Sequence, residues 1–443
     1  MEIQLTSDQV LAMAPDASSA SAGKKLGNAK HWKNLGASAE ALWGECQGSA
    51  LYQVKVDLSS LTSQCSCPSR KLPCKHSLSL LLLAAADGAS VPTTEPPEWV
   101  TSWLAKRQAS SGRKQERAAK TSGEPPSEAQ LKNAEKRLAT VKKGLDSLDI
   151  WLNDLVRQGL ASVSTQPSSF WEYQAARLRD AQAPTLDSRV RGLAAIPNAS
   201  PAWPEKLLAE LGKLALLTHA FRQEERLEPG MREEVRQLIG WSLTQNEVSV
   251  RGETVRDDWL LVGQLLEDTD RGKVQRTWLS GARSRRAAMI VQFSMAGKPF
   301  AEQFALGSRQ EAELTFWPGA YPQRAYMRSR LGEIMPLKDT LPGVDIIGIF
   351  LNNVAQALSC QPWLERSLCM LCEVTPICSE EGKVWYVRDR EGRALPFVGN
   401  DGWLLLALSG GYPVDLSAEW DGEFLRPLGA LVHGEYTLLG RTN

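Results

Sequence analysis

Hydrophobic and polar positions predict a small mixed region at the amino terminus. From Leu51 to Leu58 the order LYQVKVDL places apolar side chains at the alternate positions 54, 56 and 58, which is typical of a half-buried strand. The apolar run SLSLLLLAAA that follows at 77–86 predicts a helix that stops at Asp87-Gly88. Another helix, made of small residues, is expected from Ser7 to Ala22. We therefore expect residues 1–86 to fold as one region.

Residues 87–127 have the composition of a linker. VPTTEPPEW is rich in proline, and SSGRKQERAAKTSGEPPS is poor in apolar residues and basic in its first half. Such segments bury too little surface to fold alone. A short helix from Glu98 to Gln108, which carries Trp99 and Trp103, is expected between them.

Helical periodicity governs residues 128–245. Apolar positions recur there at intervals of three and four, at Leu131, Ala134, Leu138, Val141, Leu145, Leu148, Leu152 and Leu155. This spacing predicts an amphipathic helix. Further helices are expected at Phe170–Ala183, Glu205–Glu225 and Met231–Leu243, so this part of the chain is predicted to be a helical domain.

Short strand-like runs fill residues 246–443. WLLVGQLLE, KVQRTWL, AAMIVQFSM, AELTFWP, KVWYVRD and GWLLLALSG are separated by turn residues, which predicts a β-rich domain, a sandwich or a barrel. One helix, Val344–Leu358, interrupts them. The predicted fold class is multidomain α+β.

Composition and charge exclude several classes of protein. The 443 residues contain 51 Lys and Arg against 51 Asp and Glu, so the chain is not a polycation. Residues 1–145 hold 19 basic and 13 acidic side chains, net +6, and the remainder holds 32 against 38, net −6. Fifteen Trp argue against wholesale disorder.

The expected compartment is the cytoplasm. Residues Met1–Gly27 contain acids and no apolar core, unlike a signal peptide, and no apolar run approaches the ~20 residues of a membrane span. Eight Cys are too few for a disulfide scaffold of this length.

One cluster of residues carries a strong chemical signal. Cys65-x-Cys67 is followed after six residues by Cys74-x-His76. Two thiols at i and i+2 lie on one face of a strand, and Pro68 and Pro73 punctuate the loop that brings the other two ligands back. Three thiolates and one imidazole form a closed structural set for one Zn²⁺, without an open position for a catalytic water. We therefore predict one structural zinc ion.

The order of strand, CSCPSRK, PCKH and leucine-rich helix resembles the SWIM zinc finger, a ββα unit that would cover about residues 50–86. The resemblance implies Cys65, Cys67, Cys74 and His76 as ligands. More loosely, the whole layout resembles bacterial SWIM-domain proteins, which are often encoded beside MoxR-type AAA+ ATPases and von Willebrand type A proteins. It implies a binding module or adaptor, with DNA or protein as the usual proposed partner.

Two interpretations remain open for the cations of the finger, Arg70, Lys71 and Lys75. They could contact phosphates of a nucleic acid. Alternatively, they could offset the net charge of −1 that Zn²⁺ and three thiolates carry. The sequence favours the second interpretation slightly.

Other candidate groups carry weaker signals. Cys369 and Cys372 form a CxxC, but SLCMLCEV is typical of a strand, where an offset of three places thiols on opposite faces; Cys360 and Cys378 have no His nearby. Asp257-Asp258 is interpreted as part of a solvated turn.

Because none of the common catalytic motifs occurs, we expect a non-enzymatic, zinc-binding adaptor that binds a protein. The alternative is a nucleic-acid-binding protein that uses the basic finger region.

Overall fold

The structure is a computed structural model that describes residues 5–48, 50–69, 71–86, 90–107, 128–269, 272–295, 300–379 and 384–440. A small β-region with the zinc-ligand residues comes first, a helical bundle follows, and a β-rich region completes the chain. The predicted fold class is confirmed. None of the described helices combines the length and apolar composition that a membrane span requires.

The N-terminal region is built on a four-stranded antiparallel sheet whose strands follow chain order. Its strands are β1 (Trp32–Ala37), β2 (Ala41–Gln47), β3 (Leu51–Asp57) and β4 (Thr62–Cys65), and its helices are α1 (Ser7–Ala12), α2 (Ala17–Leu26) and α3 (Lys75–Ala86). The helix α3 packs on the sheet, and Leu78, Leu80 and Leu81 are fully buried against Val54 and Val56. Burial of these side chains supplies most of the local driving force.

Two details of this region differ from the predictions. The single helix expected at 7–22 is two helices, because the chain breaks before Asp16, whose carboxylate caps α2 by accepting from the Ser19 amide. Strands β1 and β2 precede the predicted strand; a Cβ at Gly36 would lie 2.4 Å from the Trp43 ring, so only glycine permits this close packing.

A short helix, α4 (residues 98–107), packs on the face of the sheet opposite α3, against the central strands β2 and β3. Val100 and Leu104 of α4 pack on Ala41 and Trp43. The Lys55 ammonium lies 5.3 Å from the centroid of the Trp99 ring and 5.5 Å from that of Trp103. The tryptophans thus hold α4 on the sheet through apolar and cation–π contacts.

The central domain is a bundle of helices. It consists of α5 (Glu128–Gln158), α6 (Ser168–Asp180), α7 (Pro184–Gly192), α8 (Trp203–Arg222) and α9 (Pro229–Ile239), and α10 (Gln245–Arg251) leads to the next region. Val141, Leu145 and Leu148 of the predicted stripe are buried in its core with Trp171 and Phe221. The start of the stripe does not reach the core, because the first turns of α5 extend into solvent.

Two six-stranded sheets form the β-rich region. The first has the order β10-β8-β5-β6-β7, and β9 also pairs with β8. Its strands are β5 (Thr254–Thr269), β6 (Gly272–Gly281), β7 (Ala287–Met295), β8 (Ser308–Phe316), β9 (Ala325–Arg330) and β10 (Met335–Pro336). Side chains on one face of this sheet pack against the second sheet, where Trp278 and Val262 contact Leu428 and Leu431.

The second sheet closes on itself. It follows α11 (Ile347–Cys360) and comprises β11 (Ser367–Cys378), β12 (Trp385–Arg388), β13 (Ala394–Phe397), β14 (Val414–Trp420), β15 (Leu425–Val432) and β16 (Glu435–Leu438), with α12 (Gly402–Ser409) between β13 and β14. The order is β13-β12-β11-β14-β15-β16, and β15 also pairs in parallel with β13 at Phe397 and Leu425. The pairing of β13 with β15 closes the five strands β11–β15 into a barrel, with β16 added to β15 as a sixth strand, and this five-stranded order resembles the OB-type arrangement.

The segment GWLLLALSG is a helix, so its interpretation as a strand was wrong. An apolar run of this length carries no period that separates a strand from a buried helix. Gly402 lets α12 begin directly on the Trp385 ring, which a Cβ would approach to 2.3 Å, and Gly410 ends it at a φ of 61°.

Asp257 also differs from its prediction, since it is buried in β5 and not solvated. Its carboxylate accepts from the backbone amides of Arg283 (3.1 Å) and Ser284 (2.8 Å) and so fixes the turn after β6. Burial opposes the charge, but these hydrogen bonds prevail and lower the pKa of Asp257.

Candidate metal centre

Four predicted ligands converge where the sheet meets α3. Cys65 is the last residue of β4 and pairs with Val54, Cys67 lies in the turn that follows, Cys74 immediately precedes α3, and His76 is the second residue of that helix. The strand pairing therefore fixes one side of the cluster and the buried helix fixes the other.

The distances within the cluster fit a tetrahedral zinc site. The four ligand atoms all lie within 4.8 Å of one another. His76 Nδ1 is 3.7 Å from Cys65 Sγ and 4.0 Å from Cys74 Sγ. Bond lengths of about 2.3 Å to sulfur and 2.0 Å to nitrogen give tetrahedral edges of roughly 3.5–3.8 Å. The donor set and its spacing are consistent with one structural zinc ion.

Backbone amides orient the thiols. The amide of Cys67 donates to Cys65 Sγ, and the amide of Ser77 donates to Cys74 Sγ, each over 3.5 Å. The Tyr52 ring packs against the His76 ring with 4.9 Å between centroids. The sequence pattern does not single out Tyr52 or Ser77 as functional residues, and their only sequence signal is proximity to the ligands along the chain. Such outer contacts orient metal ligands.

Without a bound cation, the pKa values of the three thiols shift in opposite directions. Hydrogen bonding from Cys65, helped by His76 and Ser77, lowers the pKa of Cys74. The same contact, together with burial, raises the pKa of Cys65, and burial raises that of Cys67. A bound dication would displace the thiol protons and satisfy all three sulfurs.

The cations of the finger differ in their contacts. The Lys71 ammonium lies 2.7 Å from the Asp16 carboxylate and lowers the pKa of that acid. It thereby ties the ligand loop to the start of α2. Lys75 is exposed at the first position of α3, and Arg70 lies outside the described residues.

Three cysteines of the second group, Cys369, Cys372 and Cys378, lie on β11, the strand that their sequence predicts. Cys369 is buried inside the barrel, whereas the Cys372 thiol is only partly buried and donates to the Leu341 carbonyl over 3.4 Å. Cys378 ends the same strand and Cys360 ends α11. The structure does not bring these thiols into a metal-binding group.

Two family models match the chain. The SWIM zinc finger matches residues 52–85, which include all four ligands, and the SWIM-associated four-helix bundle domain matches residues 136–239. No curated protein and no solved structure gives a significant match. The chain therefore carries a segment similar to the SWIM zinc finger and, after it, a segment similar to the SWIM-associated four-helix bundle domain. In this chain the finger is combined with the SWIM-associated bundle, formed by α5–α9, and with the β-rich region that follows it.

Proposed function

We propose that the protein is a non-enzymatic cytoplasmic adaptor that binds a partner protein and uses its zinc finger as a structural unit. The observation that carries this proposal is the burial of α3, in which every residue from His76 to Ala84 is buried. An enclosed helix has no face left to enter the groove of a nucleic acid. The contribution of the finger is to hold the N-terminal region together.

Several cations of the N-terminal region are held by contacts within the protein, and this supports a protein partner over a nucleic acid. Lys71 pairs with Asp16, Lys55 lies between two tryptophan rings, and Arg107 Nε lies 3.2 Å from Asp57. Cations held by internal contacts contribute less to the release of counterions from a phosphate backbone.

A concave surface between α9, α10 and β8 supports the absence of catalysis. This cavity of about 380 Å³ is lined by Arg251, Glu233 and Glu253, among others. Arg251 pairs with Glu233, and Arg286 pairs with Glu253 over 2.7 Å. The charged groups neutralise one another and do not form the nucleophile–base pair that a catalytic site needs.

Exposed large apolar side chains support contact with another protein. They occur on the bundle and on the β-rich region, at Ile150, Tyr173, Phe293, Met295 and Trp403. Aromatic side chains and Met are enriched at protein interfaces.

The eight cysteines are all unbridged, which suits a reducing compartment.

Reconstitution with purified candidates tests the proposal. The full chain is mixed with a MoxR-type AAA+ ATPase or a von Willebrand type A protein from the same organism, the partners that the family resemblance suggests, and complexes are separated by gel filtration. We expect a stable complex with wild type and a weakened one with Cys74→Ser, because loss of zinc disorders the N-terminal region. Cys360→Ser, at an exposed thiol, is the matched control. Failure of wild type to bind either candidate, together with salt-dependent gel shifts of DNA, would contradict the proposal.

A further inference from the structure

Strand β7 is an edge strand of the first sheet, and its hydrogen-bond register shows which backbone groups face away from the sheet. The ladder between β6 and β7 begins where the Gly281 amide donates to the Arg286 carbonyl over 2.9 Å. Bonded and non-bonded pairs alternate along an antiparallel ladder, so the odd-numbered residues of β7 point their N–H and C=O groups away from β6. The Met289 amide agrees with this register, since it donates to the Gln323 carbonyl on the far side over 2.7 Å.

The outward groups of β7 have no strand partner beyond Met289. At Met289 the edge is bridged in parallel by Arg324, immediately before β9. Neither the amide nor the carbonyl of Val291 and Phe293 has a hydrogen-bond partner among the residues that the structure describes. We call residues 291–295 the β7 edge, and it continues a strand contact that the chain itself already makes.

Other sheet edges in the described parts of the chain are covered by segments from elsewhere. Ala37 of β1 bonds to residues 92–94, Lys338 bridges Glu435 of β16, and β13 closes onto β15. Proteins also protect open edges with charged side chains or with proline. Strand β7 has neither protection, because its sequence AAMIVQFSM contains no charge and no proline. The β7 edge is therefore open to the addition of a strand.

The side chains beside the β7 edge define the chemistry of an added strand. Val291, Phe293 and Met295 share one face of β7, where Phe293 and Met295 expose 71% and 66% of their surface. Gln292 and Ser294 lie on the opposite face. Neighbouring strands place paired side chains on the same face. A matching strand therefore alternates, with apolar side chains beside Phe293 and polar ones beside Gln292.

The available area favours a short segment over a folded partner. An aromatic side chain buries about 150–250 Å², so Phe293 and Met295 together offer on the order of 300 Å². A second copy of the chain would need about 800 Å² on each side for a stable dimer. In strand addition, main-chain hydrogen bonds supply affinity that the side-chain area does not. An extended segment of another protein therefore fits the β7 edge best.

We propose that the β7 edge binds an extended segment of a partner protein as an added strand, in which apolar and polar side chains alternate. This proposal rests on the adaptor function and names its contact surface. The backbone of the segment donates to the carbonyls of Val291 and Phe293 and accepts from their amides. Its apolar side chains cover Phe293 and Met295.

A designed peptide tests the β7 edge on the full-length protein. The probe is a fluorescein-labelled peptide of about eight residues, in which Val and Thr alternate between terminal Lys residues. The control peptide has the same side chains, but every internal amide carries a methyl group and cannot donate a hydrogen bond. Fluorescence anisotropy at physiological salt measures binding, and hydrogen-exchange mass spectrometry follows the protection of residues 290–295.

We expect wild type to bind the alternating peptide and to gain protection at residues 290–295. Val291→Pro should weaken binding at least about tenfold, because an acceptor of the added strand loses its donor. Proline at an edge position whose amide faces solvent leaves the ladder to β6 intact. Val291→Thr keeps the amide and is the matched control, with the affinity of wild type.

A second variant leaves the backbone of β7 unchanged. Phe293→Lys places a charge at an exposed position of the edge, the device by which natural edge strands resist pairing. It should also weaken binding at least about tenfold. Tyr173→Ala removes an aromatic side chain that is 70% exposed on α6, and should leave the affinity unchanged.

Several results would overturn the proposal. These are an absence of peptide binding by wild type, equal affinity for the methylated peptide, and wild-type affinity in Phe293→Lys. A concentration-dependent dimer that Phe293→Lys abolishes would identify a second copy as the occupant. If Phe293→Lys still forms the wild-type complex with the adaptor's partner, the contact surface is wrong and the adaptor function stands. If wild type binds the peptide but neither candidate partner, strand addition stands and the adaptor function with those partners is wrong.

Discussion

Cys74 is central to the metal cluster because its sulfur is almost fully buried and contacts His76 and Ser77. We expect purified wild type to contain about one zinc ion per chain and Cys74→Ser to lose most of it, because the site is closed by four protein ligands. Metal analysis by mass spectrometry measures this. Cys360→Ser should keep the full zinc content, and a Cys74→Ser protein that also keeps it would contradict the assignment of the ligands.

Glu234 lies between the bundle and the β-rich region, where its side chain accepts a hydrogen bond from Gln361 Nε2 over 2.6 Å. Burial raises the pKa of Glu234 to about 7, although the Ala320 amide and Arg189 oppose the shift. A raised carboxyl pKa favours the folded state fully below the unfolded value near 4.5, and this contribution disappears as pH rises through 7.

This linkage predicts that Glu234→Gln gains stability relative to wild type as pH increases from 5 to 8, by up to about 3 kcal/mol. Urea denaturation at a series of pH values measures the difference in the free energy of unfolding. Glu225→Gln, at an exposed position of the same domain, is the matched control. A flat profile for Glu234→Gln would be inconsistent with burial of the charged group.

At the scale of elements, one buried carboxylate joins the two sheets of the β-rich region. Glu419 of β14 is fully buried and accepts from Trp278 Nε1 (2.8 Å) and Arg276 Nε (3.1 Å) of β6, and from Arg366 Nε (3.1 Å). Removing one partner of a buried ion pair leaves uncompensated charge in the interior.

We therefore expect Glu419→Ala to lower the free energy of unfolding by about 3–5 kcal/mol. Equilibrium urea denaturation followed by tryptophan fluorescence measures the loss. Glu423→Ala removes an exposed carboxylate that pairs with Lys206, and should cost no more than about 1 kcal/mol. Similar losses in the two variants would mean that the Glu419 contacts do not hold the sheets together.

The sequence predicted those elements whose period is unambiguous. LYQVKVDL forms β3, the apolar stripe around Leu145 lies in α5, and SLSLLLLAAA lies in α3. The spacing of Cys65, Cys67, Cys74 and His76 also sufficed to predict the cluster, because the ligands are close along the chain. The sequence could not separate α12 from a strand, since its apolar run has no polar side, nor reveal that Asp257 is buried, since its hydrogen-bond partners lie more than 20 residues away.

At the scale of the whole molecule, the zinc finger is coupled to the β-rich region. Gln9 Nε2 of α1 donates to the Gly307 carbonyl over 3.0 Å, and Ala305 and Ile334 complete the N-terminal core. Structural zinc commonly contributes directly to folding free energy. Loss of zinc should therefore weaken the contacts between the N-terminal region and the β-rich region.

We expect zinc chelation to increase hydrogen exchange in α3 and also at residues 305–308, and to leave the bundle core around Leu145 protected. Hydrogen-exchange mass spectrometry measures each segment. Gln9→Ala serves as a control that loosens residues 305–308 while retaining zinc. Unchanged exchange at 305–308 after chelation would show that the junction does not depend on the metal.

The position of Ala305 in the N-terminal core also bears on the order of events during synthesis. Roughly 200 residues separate α3 from Ala305, so at about 5–20 residues per second the ribosome needs about 10–40 s to supply this part of the core. The four zinc ligands, in contrast, emerge together within one short loop. A nascent chain stopped before residue 300 should therefore already retain zinc when it is isolated on ribosomes, and one that does not would refute this order. The metal then holds α3 on the already translated sheet during the interval in which Ala305, the last buried member of this core, has not yet been supplied.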